Sequence, residues 1–195
     1  MTQPPLDKLA TIIALVEAVE RDQAARKKFH PGDDWAPVEA LDRVHTAYLK
    51  EHVYAYGWPR LSGYGQRAST AAWLLVQHAD LDPVFQKHCL DKMQALLADG
   101  EVLPRHVAYL NDRVAVGEGR AQYYGTQFRP GATGEYIASP IEGLGDTQFL
   151  LSNRKDLAIL NARRHEMGLE PFEVNAARLN EVATKAAKIT TAPQR

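Results

Sequence analysis

The chain has 195 residues, of which 45% are hydrophobic and 24% charged, and its formal net charge is −1. This length fits one domain, and the composition is that of an ordinary folded protein. The charge balance lacks the basic excess that nucleic acids attract, and no segment approaches the ~20 apolar residues that cross a bilayer. Cys89 is the only cysteine, and the N-terminus lacks the pattern of a signal peptide. We therefore expect a cytoplasmic protein without nucleic-acid or membrane partners.

In the first part of the chain, stretches with apolar residues at helical spacing are separated by glycine and proline. This pattern predicts five helices, at about 4–29, 37–56, 66–78, 82–100 and 104–116. The clearest helix start is Asp82 followed by Pro83, because aspartate caps a helix and proline suits its first position. The segment 58–65, WPRLSGYG, is predicted to be a loop that braces the fold through a buried Trp58 and does not bind the substrate.

The sequence pattern changes after Gly117. Residues 122–128 fit a short strand or an extended loop, and residues 129–145 are predicted to form a long, irregular loop rich in glycine. Ser152 is predicted to cap a helix that ends at Gly168, and a last helix is expected at 173–188. The fold class is therefore mainly α: a single-domain bundle of about seven helices with one long loop and at most two short strands. Within it we expect an N-terminal helical hairpin at 1–57, a core at 58–172 and a C-terminal helix and tail at 173–195.

The segment 73–80, WLLVQHAD, places a histidine at the edge of an apolar core. His78 shares a helical stripe with Ala71 and Leu74 and lies at the C-terminal end of the helix. Burial favours a neutral imidazole, whereas the helix dipole and a nearby carboxylate such as Asp80 favour the charged form. The pattern indicates either a histidine poised for proton transfer or a structural histidine bonded to a carbonyl.

The helix at 104–116 carries polar side chains beside its apolar stripe. At about 100° per residue, His106 and Arg113 lie on one flank of that stripe, Tyr109 lies just beyond, and Asp112 points nearly away. A guanidinium at such a boundary suits a carboxylate or a phosphate in a crevice. Asp112 either faces solvent or meets another element. The alternative is an ordinary surface arginine beside an unpaired aspartate.

The segment 123–127, YYGTQ, is dense in hydrogen-bonding side chains. Its glycine, Gly125, allows the backbone to come close to a partner. Tyr124 and Gln127 could stabilise developing charge, and Thr126 could bind a substrate. The alternative is a turn whose polar groups satisfy one another.

Metal and cofactor motifs are weak or absent in the sequence. His45 and His52 share a helix face, but seven residues separate them, which is about 10 Å of rise. Walker loops, dinucleotide-binding glycine patterns, nucleophile elbows and cysteine-rich metal spacings do not occur. Cys89 falls on an apolar stripe, where a thiol is inert packing. We therefore expect neither a metal nor a cofactor.

Several short motifs occur in a specific order along 58–172. They are WP, AAWLLVQHAD, GEV, AYLNDR, YGTQF, PIE and GLEPF. In this order the chain resembles an uncharacterised family of small bacterial domains of unknown function. The resemblance implies that His78, Asp112, Arg113, Tyr124, Gly125, Thr126 and Gln127 are family motif positions, and it implies no activity.

Taken together, these side chains can bind a small anion and move a proton. We expect an acid/base enzyme of hydrolase or lyase type, centred on His78, that acts on a small anionic or amide-bearing metabolite. The expected catalytic residues are His78, Asp112 and Tyr124. The expected substrate-binding residues are Arg113, Thr126, Gln127, Tyr109 and His106. The alternative is a non-catalytic helical module that binds a ligand or a protein.

Overall fold

The structure is a computed structural model that describes residues 8–29, 33–132, 134–145 and 147–190. The chain divides into two compact units, Met1–Leu110 and Asn111–Arg195. The helix start predicted near Pro4 and the end of the tail after Thr190 lie outside the described residues. The divisions predicted at 57/58 and 172/173 stay predictions.

The described residues are mainly helical, as the sequence predicts. They form eight helices: α1 Lys8–Arg26, α2 Ala36–Tyr56, α3 Leu61–Gln77, α4 Pro83–Ala95, α5 Pro104–Gly117, α6 Thr147–Ser152, α7 Arg154–Glu166 and α8 Phe172–Thr190. Two short strands, β1 Phe128–Pro130 and β2 Tyr136–Ala138, pair antiparallel. None of the described helices is long and apolar enough to span a membrane.

In the first unit, α3 is the central helix and packs against α1, α2 and α4. Its small side chains Ala68 and Ala72 are fully buried, so neighbouring helix backbones can come close. The predicted cap of α4 is confirmed, because the side chain of Asp82 accepts from the backbone N–H of Phe85 at 3.0 Å. Cys89 is also buried, and burial raises the pKa of its thiol.

The start of α3 differs from the prediction. The helix begins at Leu61 rather than near Gln66, so five of the eight residues predicted to be a loop lie within it. Gly65, with a φ of 77°, interrupts the helical backbone, and this left-handed conformation is open to glycine at little cost. One of the glycines that suggested a loop, Gly65, therefore marks a kink inside a helix.

The buried faces of α1 and α2 differ in part from the apolar stripes that helical spacing predicts. Those stripes are Leu9, Ile12, Ile13, Val16 and Val19 on the first helix and Leu41, Val44, Tyr48 and Val53 on the second. On α1, Leu9 and Ile13 are 65% and 48% exposed, and the buried residues are Thr11, Leu15, Ala18 and Asp22. On α2, Val44 is 65% exposed, whereas His45 and His52 are buried. The prediction is wrong at these positions because polar residues occupy part of the inward faces. Asp22 has hydrogen-bond partners there, whereas His45 Nδ1 and His52 Nε2 have none among the described residues.

In the second unit, the two strands and three helices enclose a small apolar core. Its fully or nearly buried members are Ala138, Ile141, Leu150, Leu160 and Phe172. The cap of α7 is Asn153 rather than the predicted Ser152, since the Asn153 Oδ1 accepts from two backbone N–H groups of the first turn. Ser152 instead ends the short helix α6.

Candidate functional site

His78 caps the C-terminus of α3, at the helix end where the sequence places it. Its Nδ1 lies 3.0 Å from Oδ1 of Asp22 on α1. The His78 side chain is 18% exposed, whereas that of Asp22 is completely buried. The carboxylate nearest in sequence, Asp80, accepts instead from Gln86 Nε2 at 3.0 Å. A carboxylate distant in sequence therefore holds His78.

Asp22 is kept in its charged form by the groups around it. Burial alone would raise the pKa of Asp22, but the hydrogen bonds from His78 and Gln23 and the electrostatic effect of His78 and Arg26 outweigh it and lower the pKa to about 2. Gln23 Nε2 donates to Oδ2 at 2.8 Å, and Arg26 Nε donates to Oδ1 at 3.0 Å. An ionised carboxylate only accepts hydrogen bonds. In the neutral His78 ring, Nδ1 therefore carries the proton and Nε2 carries the lone pair.

A second carboxylate, Asp42 on α2, joins the same group of side chains. Arg26 Nη2 donates to Asp42 Oδ1 at 2.5 Å, so one guanidinium bridges Asp22 and Asp42. Burial raises the pKa of Asp42, against the opposing effect of Arg26. The two carboxylates thus have pKa values shifted in opposite directions, which is the arrangement of many acid/base sites.

His78 and Asp42 both line a cleft with a volume of about 320 Å³. The other polar residues of its wall are Arg43, Thr46, Lys50 and Asp82. Lys50 Nζ donates to Asp82 Oδ2 at 2.6 Å. The cleft is large enough for a small metabolite and offers it two cationic side chains beside the imidazole.

The same cluster contains the donor atoms of a possible metal site. Asp22, Asp42 and His78 each present one ligand atom, and these atoms lie within 4.8 Å of one another. Two carboxylates and an imidazole suit several divalent metals. However, the Arg26 guanidinium already donates to both carboxylates and balances their charge. A metal ion would have to compete with Arg26 for both of them.

His106 and Tyr109, predicted to bind substrate, both contact the indole of Trp73 in the first unit. The His106 ring stacks on Trp73 with centroids 4.0 Å apart, and Tyr109 meets the same indole edge-on at 5.8 Å. His106 is 3% exposed, and burial, with a smaller effect of Arg105, lowers the pKa of its imidazole to about 4. This histidine is therefore a neutral core ring near neutral pH.

Asp112 organises the motif segment of the second unit. The aspartate is fully buried, and its two oxygens accept from the backbone N–H groups of Tyr123, Tyr124 and Thr126 at 2.8–3.1 Å. The Thr126 hydroxyl adds a fourth donor at 2.9 Å. Of the two alternatives left open for Asp112, it meets another element, and that element is the segment 123–126.

Other side chains complete this motif segment. Arg113 Nη1 donates to Gln127 Oε1 at 3.2 Å, and Gln127 Nε2 donates to Thr126 Oγ1 at 3.1 Å. Arg164, 1% exposed, donates through Nη1 to the carbonyls of Tyr124 and Gly125. Burial raises the pKa of Tyr124, and the charge of Asp112 adds to the effect. The segment is held from both sides by buried charged groups.

The structure thus places the predicted site residues at three locations, of which the first is the pair His106 and Tyr109 around Trp73. Asp112, Arg113, Tyr124, Thr126 and Gln127 form the network of the second unit. His78 belongs to the first unit, and its convergence with that network in one site stays a prediction. Asp22, Arg26 and Asp42 were missed from the sequence. The available signal was the spacing of Asp22, which continues the buried line of Leu15 and Ala18 on α1.

Comparisons with known proteins give a family match. No curated protein and no solved structure matches the chain. A family model covers residues 10–188 and therefore includes α1 and α2, which carry Asp22 and Asp42, as well as the motifs from Trp58 onward. The chain belongs to that family, which is described as a family of unknown function (DUF6624).

Proposed function

We propose that this protein is an acid/base enzyme of hydrolase or lyase type, centred on His78, acting on a small anionic or amide-bearing metabolite. The observation that carries the proposal is the 3.0 Å contact between His78 Nδ1 and a completely buried, ionised Asp22. A carboxylate in this position orients the imidazole and stabilises the imidazolium that forms when Nε2 takes a proton. His78 has the support that a general base needs.

The proposed chemistry uses Nε2 of His78 and the cleft beside it. Nε2 removes a proton from the bound metabolite, or from the water that attacks it, and the imidazolium then returns that proton to the leaving group. Asp42 is the second group able to exchange a proton, since burial raises its pKa. Arg26 holds both carboxylates in place and is a positioning residue.

The substrate class follows from the charges of the cleft wall. Lys50 and Arg43 line the cleft together with His78, and they favour a substrate with a carboxylate or another anionic group. Because Lys50 is bonded to Asp82, an anionic substrate would replace Asp82 as its partner. For Asp112, the hydrogen bonds to 123–126 support a holding role. The predicted catalytic role of Tyr124 and the predicted substrate contacts of the second unit stay predictions.

The test uses a defined mixture of small carboxylates, amides and esters, followed over time by mass spectrometry. We expect wild-type protein to convert at least one compound and His78→Gln to lose the conversion. His165→Gln is the matched control, because His165 is exposed on the last turn of α7, and it should convert as wild type does. Conversion that survives in His78→Gln would overturn the proposal.

The alternative is a ligand-binding module without catalysis. The observation in its favour is the network around Asp112, where buried polar groups satisfy one another as in a structural scaffold. The same experiment separates the two functions. A compound that raises the melting temperature of the wild type and of His78→Gln equally, and that neither protein converts, would favour the binding module.

A further inference from the structure

The cleft beside His78 carries charges of both signs on its wall. Arg43 and Lys50 are its cationic side chains, and Asp42 and Asp82 are its acidic ones. The basic and acidic side chains of the wall therefore balance in number. A wall of this kind gives a purely anionic ligand little net attraction, whereas it suits a ligand that carries both charges itself.

Lys50 and Asp82 form an ion pair inside this cleft. Lys50 Nζ donates to Asp82 Oδ2 at 2.6 Å, and the two side chains are 40% and 26% exposed. The hydrogen bond to Asp82 raises the pKa of Lys50. Burial alone would raise the pKa of Asp82, but hydrogen bonds from Lys50 and from the Phe85 N–H outweigh it and lower the pKa. Both groups are therefore charged near neutral pH.

This ion pair is open to exchange with a ligand. Both side chains line the cleft and are partly exposed, and ion pairs of this kind add little to stability. The other oxygen of Asp82 has a separate role, because Oδ1 accepts from the Phe85 N–H at the start of α4. A ligand can therefore separate Lys50 from Asp82 Oδ2 while Asp82 still caps the helix.

A ligand with only a negative charge would leave Asp82 in an unfavourable position. A carboxylate that replaces Asp82 on Lys50 lies beside the Asp82 carboxylate, since Nζ and Oδ2 are only 2.6 Å apart. The two like charges repel, and Oδ2 loses its donor at the same time. A ligand that also brings an ammonium group removes both costs, because its carboxylate pairs with Lys50 and its ammonium group donates to Asp82.

We propose that the substrate bound beside His78 is a zwitterion, an α-amino acid or a derivative that keeps its free carboxylate and its ammonium group. The carboxylate binds Lys50, and the ammonium group donates to Asp82 Oδ2. In an α-amino acid both groups are attached to one carbon, so they can meet two side chains that are themselves in contact. This substrate class rests on the proposed function, which makes the cleft beside His78 the active site.

The test compares amino acids with molecules that lack one of the two charges. L-alanine is paired with propionate, and L-asparagine is paired with succinamate, which in each case lacks only the ammonium group; ethylammonium lacks the carboxylate. Each is titrated near neutral pH at constant ionic strength, and the backbone N–H signals of Thr46 and Leu81 in the cleft wall report binding by NMR. We expect at least one amino acid to give saturable shifts and to bind about tenfold or more tightly than its partner and than ethylammonium, because each of these loses a charge-assisted hydrogen bond.

Two variants separate the two contacts of the ligand. Asp82→Asn isolates the contact of the ammonium group, because asparagine caps a helix about as well as aspartate. In this variant the amino acid and its partner without the ammonium group should bind alike. Lys50→Gln should weaken the binding of both. Arg67→Gln is the control, since it breaks an exposed ion pair with Glu20 outside this cleft, and it should bind as the wild type does.

The same titrations in His78→Gln distinguish this inference from the proposed function. Amino-acid binding that persists in His78→Gln, with no conversion of any compound by the wild type, would support the zwitterion as the ligand and count against the enzyme. Conversion of compounds without an ammonium group, with no amino-acid binding, would overturn this inference alone. The absence of a saturable shift with both amino acids, a partner that binds as tightly as its amino acid, or an unchanged preference in Asp82→Asn would overturn it as well.

Discussion

Asp112→Asn tests the holding role of the buried aspartate most sharply, because it keeps the shape of the side chain and removes its charge. In the wild type, five donors point at the two carboxylate oxygens: the N–H groups of Tyr123, Tyr124 and Thr126, the hydroxyl of Thr126 and, at 3.4 Å, the side-chain amide of Asn111. An asparagine keeps one oxygen and turns an NH₂ group towards the remaining donors. At least one buried backbone N–H then loses its acceptor.

The expected loss of stability follows from these hydrogen bonds. An unsatisfied buried N–H costs about 1–3 kcal/mol, and bonds to a neutral amide are about half as strong as those to a carboxylate. We expect the free energy of unfolding to fall by about 3 kcal/mol, which lowers the melting temperature of a chain of this size by about 6–12 °C.

The assay is thermal and urea unfolding of Asp112→Asn beside Asp99→Asn. Asp99 is exposed, so its variant should stay within about 0.5 kcal/mol of the wild type. If Asp112→Asn is as stable as this control, the hydrogen bonds of Asp112 do not stabilise the motif segment. The catalytic role that the sequence predicts for Asp112 would then be favoured.

Three further predictions concern stability. His106→Phe should keep the stack on Trp73 and remove the contribution of His106, about 3 kcal/mol, to the loss of stability expected as the pH falls from 6.5 to about 4. The loss arises because the unfolded chain takes up a proton at His106 that the buried ring does not; a pH series of urea midpoints measures it, and equal slopes for both proteins would contradict it. Trp58→Ala should lower the free energy of unfolding by about 3–5 kcal/mol, and a calorimetric scan that leaves the melting temperature unchanged would show that this side chain does not brace the fold. Gly125→Ala should cost about 2 kcal/mol in urea unfolding, since φ is 66° and the new Cβ would lie 3.1 Å from Phe172 carbons; a neutral effect would mean that this backbone relaxes freely.

Local chemistry made parts of the fold predictable from the sequence. Asp82 and Pro83 start α4 as expected, because a capping side chain and the N–H groups it accepts lie within one turn. The same reasoning gave a wrong helix cap at Ser152, because the side chain of the neighbouring Asn153 accepts from the N–H groups instead. At Gly65 the residue type was informative, but a left-handed glycine fits a helix kink as well as a loop.

Tertiary contacts explain what the sequence missed. The position of His78 at a helix end follows from its own segment, but its partner Asp22 is 56 residues away in sequence. Apolar periodicity favoured Leu9 and Ile13 as the inner face of α1, whereas the helix buries Asp22 because His78, Gln23 and Arg26 satisfy it. A buried charge whose partners include a side chain from another helix leaves little trace in a hydrophobic pattern.

The most direct test of the central claim is the position of the proton on the neutral His78 ring. The ¹⁵N chemical shifts of both ring nitrogens report it, with the exposed His165 as a reference in the same protein. Because the ionised Asp22 can only accept, we expect the proton on Nδ1 and a free lone pair on Nε2. A neutral ring that carries its proton on Nε2 would contradict the account, since that nitrogen could not then act as the base.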